Sequence, residues 1–565
     1  MMIAIRGTIL LAAALMLAAG ALHAQKDYRY KLVYVTGKPL DNASLTGQVK
    51  ELAVTAGNNG LNGLVLDAYF DRITREAPYS YKFLREMVDA CRENGVEFIP
   101  AMMGMGYNAP MLNNDKHLLE GLPVTDALFI VRGREARVAD DPAVALVNGG
   151  FEQGSGGSPA GWKVGSDRAK AEIDSNEKYA GKSSLKVTMS AEAEDDFVPV
   201  VSQEITVAPW RNYRLTLMIK TEGIESRGDV FPILVQGPDG RRLQYYIPPL
   251  QATAGWTEAR VAFNSREYTS ARISVGAPGG GGGTFWIDNY AIGEEGPVNI
   301  LRREGTPLVV KGEKSGVVYV EGRDYEPLYD PLMTMLYDHE PPALKLTPGS
   351  RIAEGERLRV SYWNNHPIYH GQTPACFSDP GIYDWWRRSV KFLHEYIRPE
   401  TYYLGVDELR LAGTCETCRA RGLSLSEMLG ECVKKQVSII REVNPDAEVL
   451  IWSDMFDPHH NADYPDKRRD YYYLNYEVFD NSWEYIPRDL IIVCWYGTRR
   501  DLSLEHFSSH GFRTIGSSAG NLDTARGWLK SLDATDNAVG MMYTTWSSNY
   551  DILPEFGKLV NRKME

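Results

Sequence analysis

Short unbroken apolar runs alternate along this chain with stretches whose apolar positions recur every three or four residues. "KLVYV" (Lys31 to Val35), "LNGLVLDAYF" and "VEFIPAMM" are continuous apolar runs, the pattern of strands buried on both faces of a parallel sheet. Between them, "LTGQVKELAVTAGNNG" and "YSYKFLREMVDACRENG" read as helices closed by Gly60 and Gly95. The alternation then stops for a long stretch and resumes at "SDPGIYDWWRRSVKFLHEYIRPE", where Asp379 is placed to cap a helix and Pro380 suits its first turn. Ile382, Trp386, Val390, Leu393 and Ile397 form one apolar stripe on it. "TYYLGVDE" is a fourth strand, "AEVLIWSDM" a fifth, "DLIIVCWY" a sixth, "FRTIGSSA" a seventh and "AVGMMYTTW" an eighth. A helix, "LSEMLGECVKKQVSIIREV", ends at Asn444-Pro445, and another spans Leu522 to Leu532. Eight strands alternating with helices predict an α/β fold, a (β/α)8 TIM barrel interrupted after its third strand.

The interruption has a different pattern. From "ALVNGGFE" to "GTFWIDNYAI" short alternating strands and glycine-rich turns follow one another without a helical stripe. That predicts a jelly-roll or Ig-like β-sandwich. The expected organisation is a targeting segment over 1–24, the first part of the barrel over 25–144 and the sandwich over 145–294. A small β-rich segment follows over 295–362, and the second part of the barrel occupies 363–565.

Barrel active sites lie at the C-terminal ends of the strands. Asp67 ends the second strand, Asp407 and Glu408 the fourth, Trp452 and Asp454 the fifth, Trp495 and Tyr496 the sixth, and Trp546 the eighth. Acids and large rings at one rim suit a sugar pocket, with rings for stacking and acids for proton chemistry and hydroxyl groups. His366 and His370, in "NNHPIYHG", read as structural histidines within reach of the mouth.

Composition narrows the picture. A chain of 565 residues, 44% hydrophobic and 24% charged, is globular and too long for one ordinary domain. A net charge of -13 argues against a nucleic-acid partner, because phosphate neutralisation needs clustered Lys and Arg. Arg6 followed by "TILLAAALMLAAGALHA" has the layout of a cleaved secretory signal ending near Ala24. No second stretch is long enough to span a bilayer, so the expectation is an exported protein, periplasmic or extracellular. Of the six cysteines, Cys415 and Cys418 form "CETC", a zinc half-site without a second CxxC or a His pair at ligand spacing. A local disulfide or free thiols is the expected state.

Two resemblances sharpen this. "NGGFE", "GWKV", "YAGKSSLKV", "QEITVAPWRNYRLTLMIKT", "GWTEARVAFNS" and "GTFWIDNYAI" occur in an order that resembles jelly-roll carbohydrate-binding modules. The resemblance implies a structural calcium held in part by Glu152 and Asp288, and sugar stacking on Trp210, Tyr245 and Tyr246. The barrel, strongest over 374–456, resembles family 20 glycoside hydrolases, the β-N-acetylhexosaminidase group. "YYLGVDELR" is similar to that family's Gly-Gly-Asp-Glu strand and "VLIWSDM" to its Trp-Asp strand. The resemblance implies Glu408 as general acid and base, and Asp407 as orienter of a 2-acetamido group that attacks the anomeric carbon. It implies Trp452, Trp495 and Trp546 as pocket walls, Tyr496 as a hydrogen-bond donor, and no cofactor for catalysis.

The chain departs from that family in places. "KLVYVTG" lacks an Arg, "IPAMMGMG" replaces a Pro-Gly-His turn, and Ser547 and Ser548 follow Trp546 where a Glu is usual. The leading expectation is a secreted, exo-acting hydrolase of terminal N-acetylhexosamine or a related sugar, with an oligo- or polysaccharide as partner. The alternatives are a non-catalytic glycan-binding protein on a degenerate barrel, or a glycosidase with an enzyme nucleophile such as Asp454 or Asp551.

Overall fold

The computed structural model describes residues 26–36, 43–68, 70, 78–108, 115–155, 158–165, 169–189, 198–225, 231–277, 282–334, 339–365, 372–462 and 474–562. The targeting segment, His366 and His370 lie outside the described residues. Eight parallel strands close into a barrel in chain order: Tyr30–Val35, Gly63–Asp67, Glu97–Met102, Thr401–Leu404, Glu448–Trp452, Ile491–Cys494, Arg513–Ala519 and Ala538–Thr544. The first strand pairs with the second and the eighth, so no edge is left open.

Strand alternation sorts the side chains into two layers. Tyr30, Leu32 and Tyr34 of the first strand point inward, where Tyr403, Trp452 and Met542 meet them. Val33 and Val35 point outward into the layer shared with the helices. The predicted helix over Pro380–Ile397 forms as its sequence dictates: the Asp379 side chain accepts from Gly381 N–H, and Ile382, Trp386, Val390, Leu393 and Ile397 are all buried. Replacing a ring as deeply buried as Trp386 with alanine costs about 3–5 kcal/mol. One alternation is missing: among the described residues, only short 3-10 turns separate the fifth strand from the sixth.

Between the third and fourth barrel strands the chain builds antiparallel sheets. Two five-stranded sheets, drawn from 163–294, share one apolar core and form a β-sandwich. A six-stranded sheet joins Arg357–Asn364, Val309–Gly312, Val318–Tyr319 and Leu344–Lys345 to Leu122–Arg132 and Glu135–Val138. The last two come from ahead of the sandwich, in residues whose sequence grouped with the barrel. Their alternating burial, rather than the continuous apolar run of a barrel strand, is the physical reason they pair here.

The sandwich is wedded to the barrel mouth. Arg266, fully buried, donates from Nη1 to Leu474 O at 2.8 Å and lies 4.5 Å from the centre of the Tyr476 ring. Leu474 and Leu411 join the sandwich core. Trp210 faces Tyr476 at 6.5 Å, which places it at this seam, and Tyr245 is buried. All six cysteines are buried and none is joined in a disulfide, so of the two states expected for "CETC", a local disulfide or free thiols, the structure has the second. Among the described residues, no helix is long and apolar enough to cross a membrane.

Candidate active site

The fourth strand ends at Leu404, and the two acids sit three and four positions beyond it, on a loop over the barrel mouth. Glu408 has φ 47°, a left-handed conformation that costs a non-glycine residue about 1–2 kcal/mol. Backbone contacts hold it there. Leu474 N–H donates to Arg410 O at 2.6 Å, Asn475 Nδ2 to Leu409 O at 2.6 Å, and Leu409 N–H to Met455 Sδ at 3.3 Å. Strain of this kind persists only where surrounding structure over-determines it.

Three side chains grip one oxygen of Glu408. Arg410 Nη2 lies 2.9 Å from Oε2, Gln372 Nε2 donates to it at 3.4 Å, and the Tyr107 hydroxyl donates to it as well. Arg410 also hydrogen-bonds Gln372 Oε1 and donates to Glu408 O at 3.2 Å. Tyr107 comes from the loop after the third strand, which passes very close. A Cβ on Gly106 would lie 2.2 Å from Asp407 O, so only glycine lets the two loops meet.

Asp407 is set deeper. Burial pushes its carboxyl up to about 8, the charges of Glu408 and Asp67 adding to the effect and Arg410 opposing it. Asp67, at the end of the second strand, accepts from the Tyr34 hydroxyl at 3.4 Å. Tyr34 in turn packs against Tyr403, Trp452 and Trp546 at 5.8, 5.3 and 6.1 Å. Asp454 is wholly buried; its carboxyl is held well above the usual range by burial and by the Glu408 and Asp407 charges. It accepts from Trp495 Nε1 and lies 3.5 Å from His460 Nδ1. His460 stacks on Tyr496 at 4.4 Å and meets Trp495 edge-on at 4.7 Å.

The residues named from sequence therefore occupy one mouth at different depths. Trp452 is 2% exposed and belongs to the barrel interior, whereas Trp546 is 60% exposed and stands at the rim. Trp495 and Tyr496 are half-buried between them, and Asp454 lies beneath, orienting Trp495 and His460. Tyr34, Tyr107, Gln372 and Arg410 carry no motif that marks them from sequence, and His460 is notable there only as the neighbour of His459, a pair too close together to face one metal ion. Tyr34 was legible from strand alternation, and Arg410 from its place next to "DEL"; Gln372 carries no sequence signal. Glu152 and Asp288 lie in the sandwich, both beside Gly150. Their oxygens accept from the main-chain N–H groups of Lys182, Tyr179, Ala180 and Asn289. The opposite end of the barrel has a cavity of about 470 Å³, where Glu448 pairs with Arg29 and Arg513; such ends serve stability.

No protein-family model matches the chain, and neither does any curated protein. A rhamnosidase from Novosphingobium sp. PP1Y is similar at 10% identity, over 92% of this chain and 55% of its own, with a TM-score of 0.32. A structure described as an exo-beta-agarase is similar at 10% identity, over 73% of this chain and 98% of its own, TM-score 0.24. The CBM22-1 xylan-binding domain from Paenibacillus barcinonensis Xyn10C is similar at 17% identity over 28% of this chain and 96% of its own, TM-score 0.20.

Proposed function

We propose that this chain is a glycoside hydrolase acting at the end of a glycan, with Asp407 and Glu408 as one proton-handling pair. The observation that carries the reading is the pairing of a deep carboxyl that keeps its proton up to about 8 with a neighbouring carboxylate fixed at the mouth. A buried carboxyl that keeps its proton beside a second acid is an arrangement that serves acid–base chemistry near neutral pH. The pair holds one proton at rest. That proton passes through Glu408 to the departing glycosidic oxygen as the bond to the anomeric carbon breaks. Both carboxylates are then ionised while the sugar carries positive charge, so the attraction is greatest where charge develops. Water adds to the anomeric carbon and its proton returns to the pair.

The substrate class within this reading is a 2-acetamido sugar whose own carbonyl oxygen attacks the anomeric carbon, as the family 20 resemblance implies. The exposed Trp546 and the half-buried Trp495 and Tyr496 offer faces for the ring. Calcium between Glu152 and Asp288 is part of the proposal: the donors are all oxygen, and the amides that reach them leave lone pairs free. Chelation that lowers the thermal midpoint, restored by calcium, supports it; an unchanged midpoint removes it.

A panel of aryl glycosides with and without the 2-acetamido group tests the function. Turnover confined to the acetamido sugars, falling about 10²–10⁴-fold in Glu408→Gln, is the expected result. Glycan binding without turnover across the panel would make the chain a binding protein. Turnover unaffected by a thiazoline inhibitor would point to an enzyme nucleophile.

A further inference from the structure

Beside the active-site loops, four buried side chains from three separate stretches converge. The ligand atoms of Glu120, Cys376, Cys415 and Cys418 all lie within 4.8 Å of one another. We propose that they bind one zinc ion, and that this ion fastens together two of the stretches that grip Glu408, those of Gln372 and Arg410.

The spacing distinguishes a metal from a disulfide. Cys376 Sγ lies 3.7 Å from Cys415 Sγ and 3.6 Å from Cys418 Sγ. A disulfide brings two sulfurs to about 2.0 Å. A tetrahedral zinc with bonds of about 2.3 Å to sulfur separates its sulfurs by about 3.8 Å. Cys418 Sγ lies 3.8 Å from Glu120 Oε2, close to the roughly 3.6 Å between a thiolate and a carboxylate on the same zinc. Three thiolates are soft ligands, which select zinc over the hard cations calcium and magnesium.

The surroundings are built for such an ion. The other oxygen of Glu120 is occupied: Thr414 Oγ1 donates to Oε1 at 2.9 Å and Gly121 N–H at 3.1 Å. This turns Oε2 toward the sulfurs, as outer partners orient metal ligands. Arg303, 6% exposed in its side chain, donates to Cys415 Sγ at 3.4 Å and stands 3.7 Å from Glu120 Oε1. Three thiolates and a carboxylate exceed the charge of a divalent ion, and the guanidinium offsets part of the excess. Gly305 (φ 77°) lets the Arg303 segment pass over the "CETC" turn, because a Cβ there would lie 2.6 Å from Thr417 N.

The position gives the ion its consequence. Cys415 and Cys418 follow Arg410, Cys415 just before and Cys418 within the short helix Glu416–Ala420 that closes the loop after the fourth strand, and Cys376 follows Gln372. Arg410 and Gln372 are two of the groups that hold Glu408. Glu120 stands where the chain leaves the barrel for its insertion. One ion therefore ties the exit, the return and the catalytic loop.

Metal analysis and cobalt exchange of the purified full chain test this, and neither depends on any sugar substrate or on the hydrolase reading. The expected results are a single zinc per chain and, after exchange, visible bands of a tetrahedral cobalt site with thiolate-to-cobalt charge transfer. Thr414→Val keeps all four ligands and is expected to weaken the metal about 10–100-fold in competition with a chelator. Cys376→Ser is expected to diminish the charge-transfer band, while Cys91→Ser, outside the cluster, leaves it unchanged. A folded chain with no cobalt–thiolate absorption overturns the proposal, as does peptide mapping that finds any two of Cys376, Cys415 and Cys418 joined.

Discussion

Arg410 Nη2 stands 2.9 Å from Glu408 Oε2 with its own side chain only 1% exposed. A buried guanidinium serves as a fixed two-pronged clamp rather than a surface charge, holding Glu408 with one prong and Gln372 with the other.

Arg410→Lys tests that clamp. Lysine keeps the charge but lacks the planar fork, so it cannot hold Glu408 and Gln372 together. With Glu408 released by even an ångström, kcat is expected to fall about 10²-fold. KM is expected to change far less, because the proposed sugar-stacking rings stand apart from this clamp. Steady-state kinetics separate the two.

Asp407 gives a pH dependence with a definite sign. Its carboxyl is raised to about 8 in the folded chain, against about 3.9 in an unfolded one. The folded state therefore holds the proton more tightly, and the associated stability is fully present below about pH 4 and is lost as pH rises to about 8. Asp407→Asn cannot ionise, so its thermal midpoint relative to the parent is expected to climb across that window. In the parent, kcat/KM is expected to fall on the alkaline side near the same pH. Calorimetry and a pH–rate profile read these effects independently.

Gly106→Ala tests the contact between loops. The added methyl would lie 2.2 Å from Asp407 O, so the acid-bearing loop must shift. Overpacking of this kind costs about 1–3 kcal/mol. If Asp407 and Glu408 act as proposed, activity is expected to fall more steeply than stability, because the displaced atom is the Asp407 backbone. Gly95→Ala, with open space around its Cβ but φ 67°, is a control for backbone strain away from the mouth.

Arg266→Met is expected to destabilise the chain by about 1–3 kcal/mol, because Leu474 O loses its buried donor. The sandwich variant is also expected to lower kcat, since Leu474 N–H braces Arg410 O. Unchanged kinetics in a destabilised variant would confine Arg266 to stability.

The barrel was legible because continuous apolar runs and helical stripes each report one burial environment, and all eight strands lie where those runs fall. Asp407 and Glu408 stand out in the sequence because two adjacent acids follow a buried apolar run; the strand itself stops at Leu404, and the acids lie on the loop beyond it. Other features left weaker traces. Cys376 is far from "CETC" in sequence, and only the folded chain brings their sulfurs to 3.6–3.7 Å. Glu120 has no neighbouring motif at all. Trp452 and Trp546 look alike in sequence, yet one fills the barrel and the other stands in solvent, because Trp452 is the last residue of the fifth strand whereas Trp546 lies two residues beyond the eighth, which ends at Thr544. The family 20 resemblance rests on the short Asp-Glu and Trp-Asp stretches, and no family model matches the chain.

The seam between the sandwich and the Leu474–Tyr476 segment bears on how such a chain can change. A module on a flexible tether can be lost, exchanged or grafted without disturbing its neighbour. Here Arg266 and Leu474 join the inserted module to the backbone that braces Arg410. The insert and the barrel mouth therefore make a single unit of change: a substitution on one side of the seam alters contacts on which the other side depends.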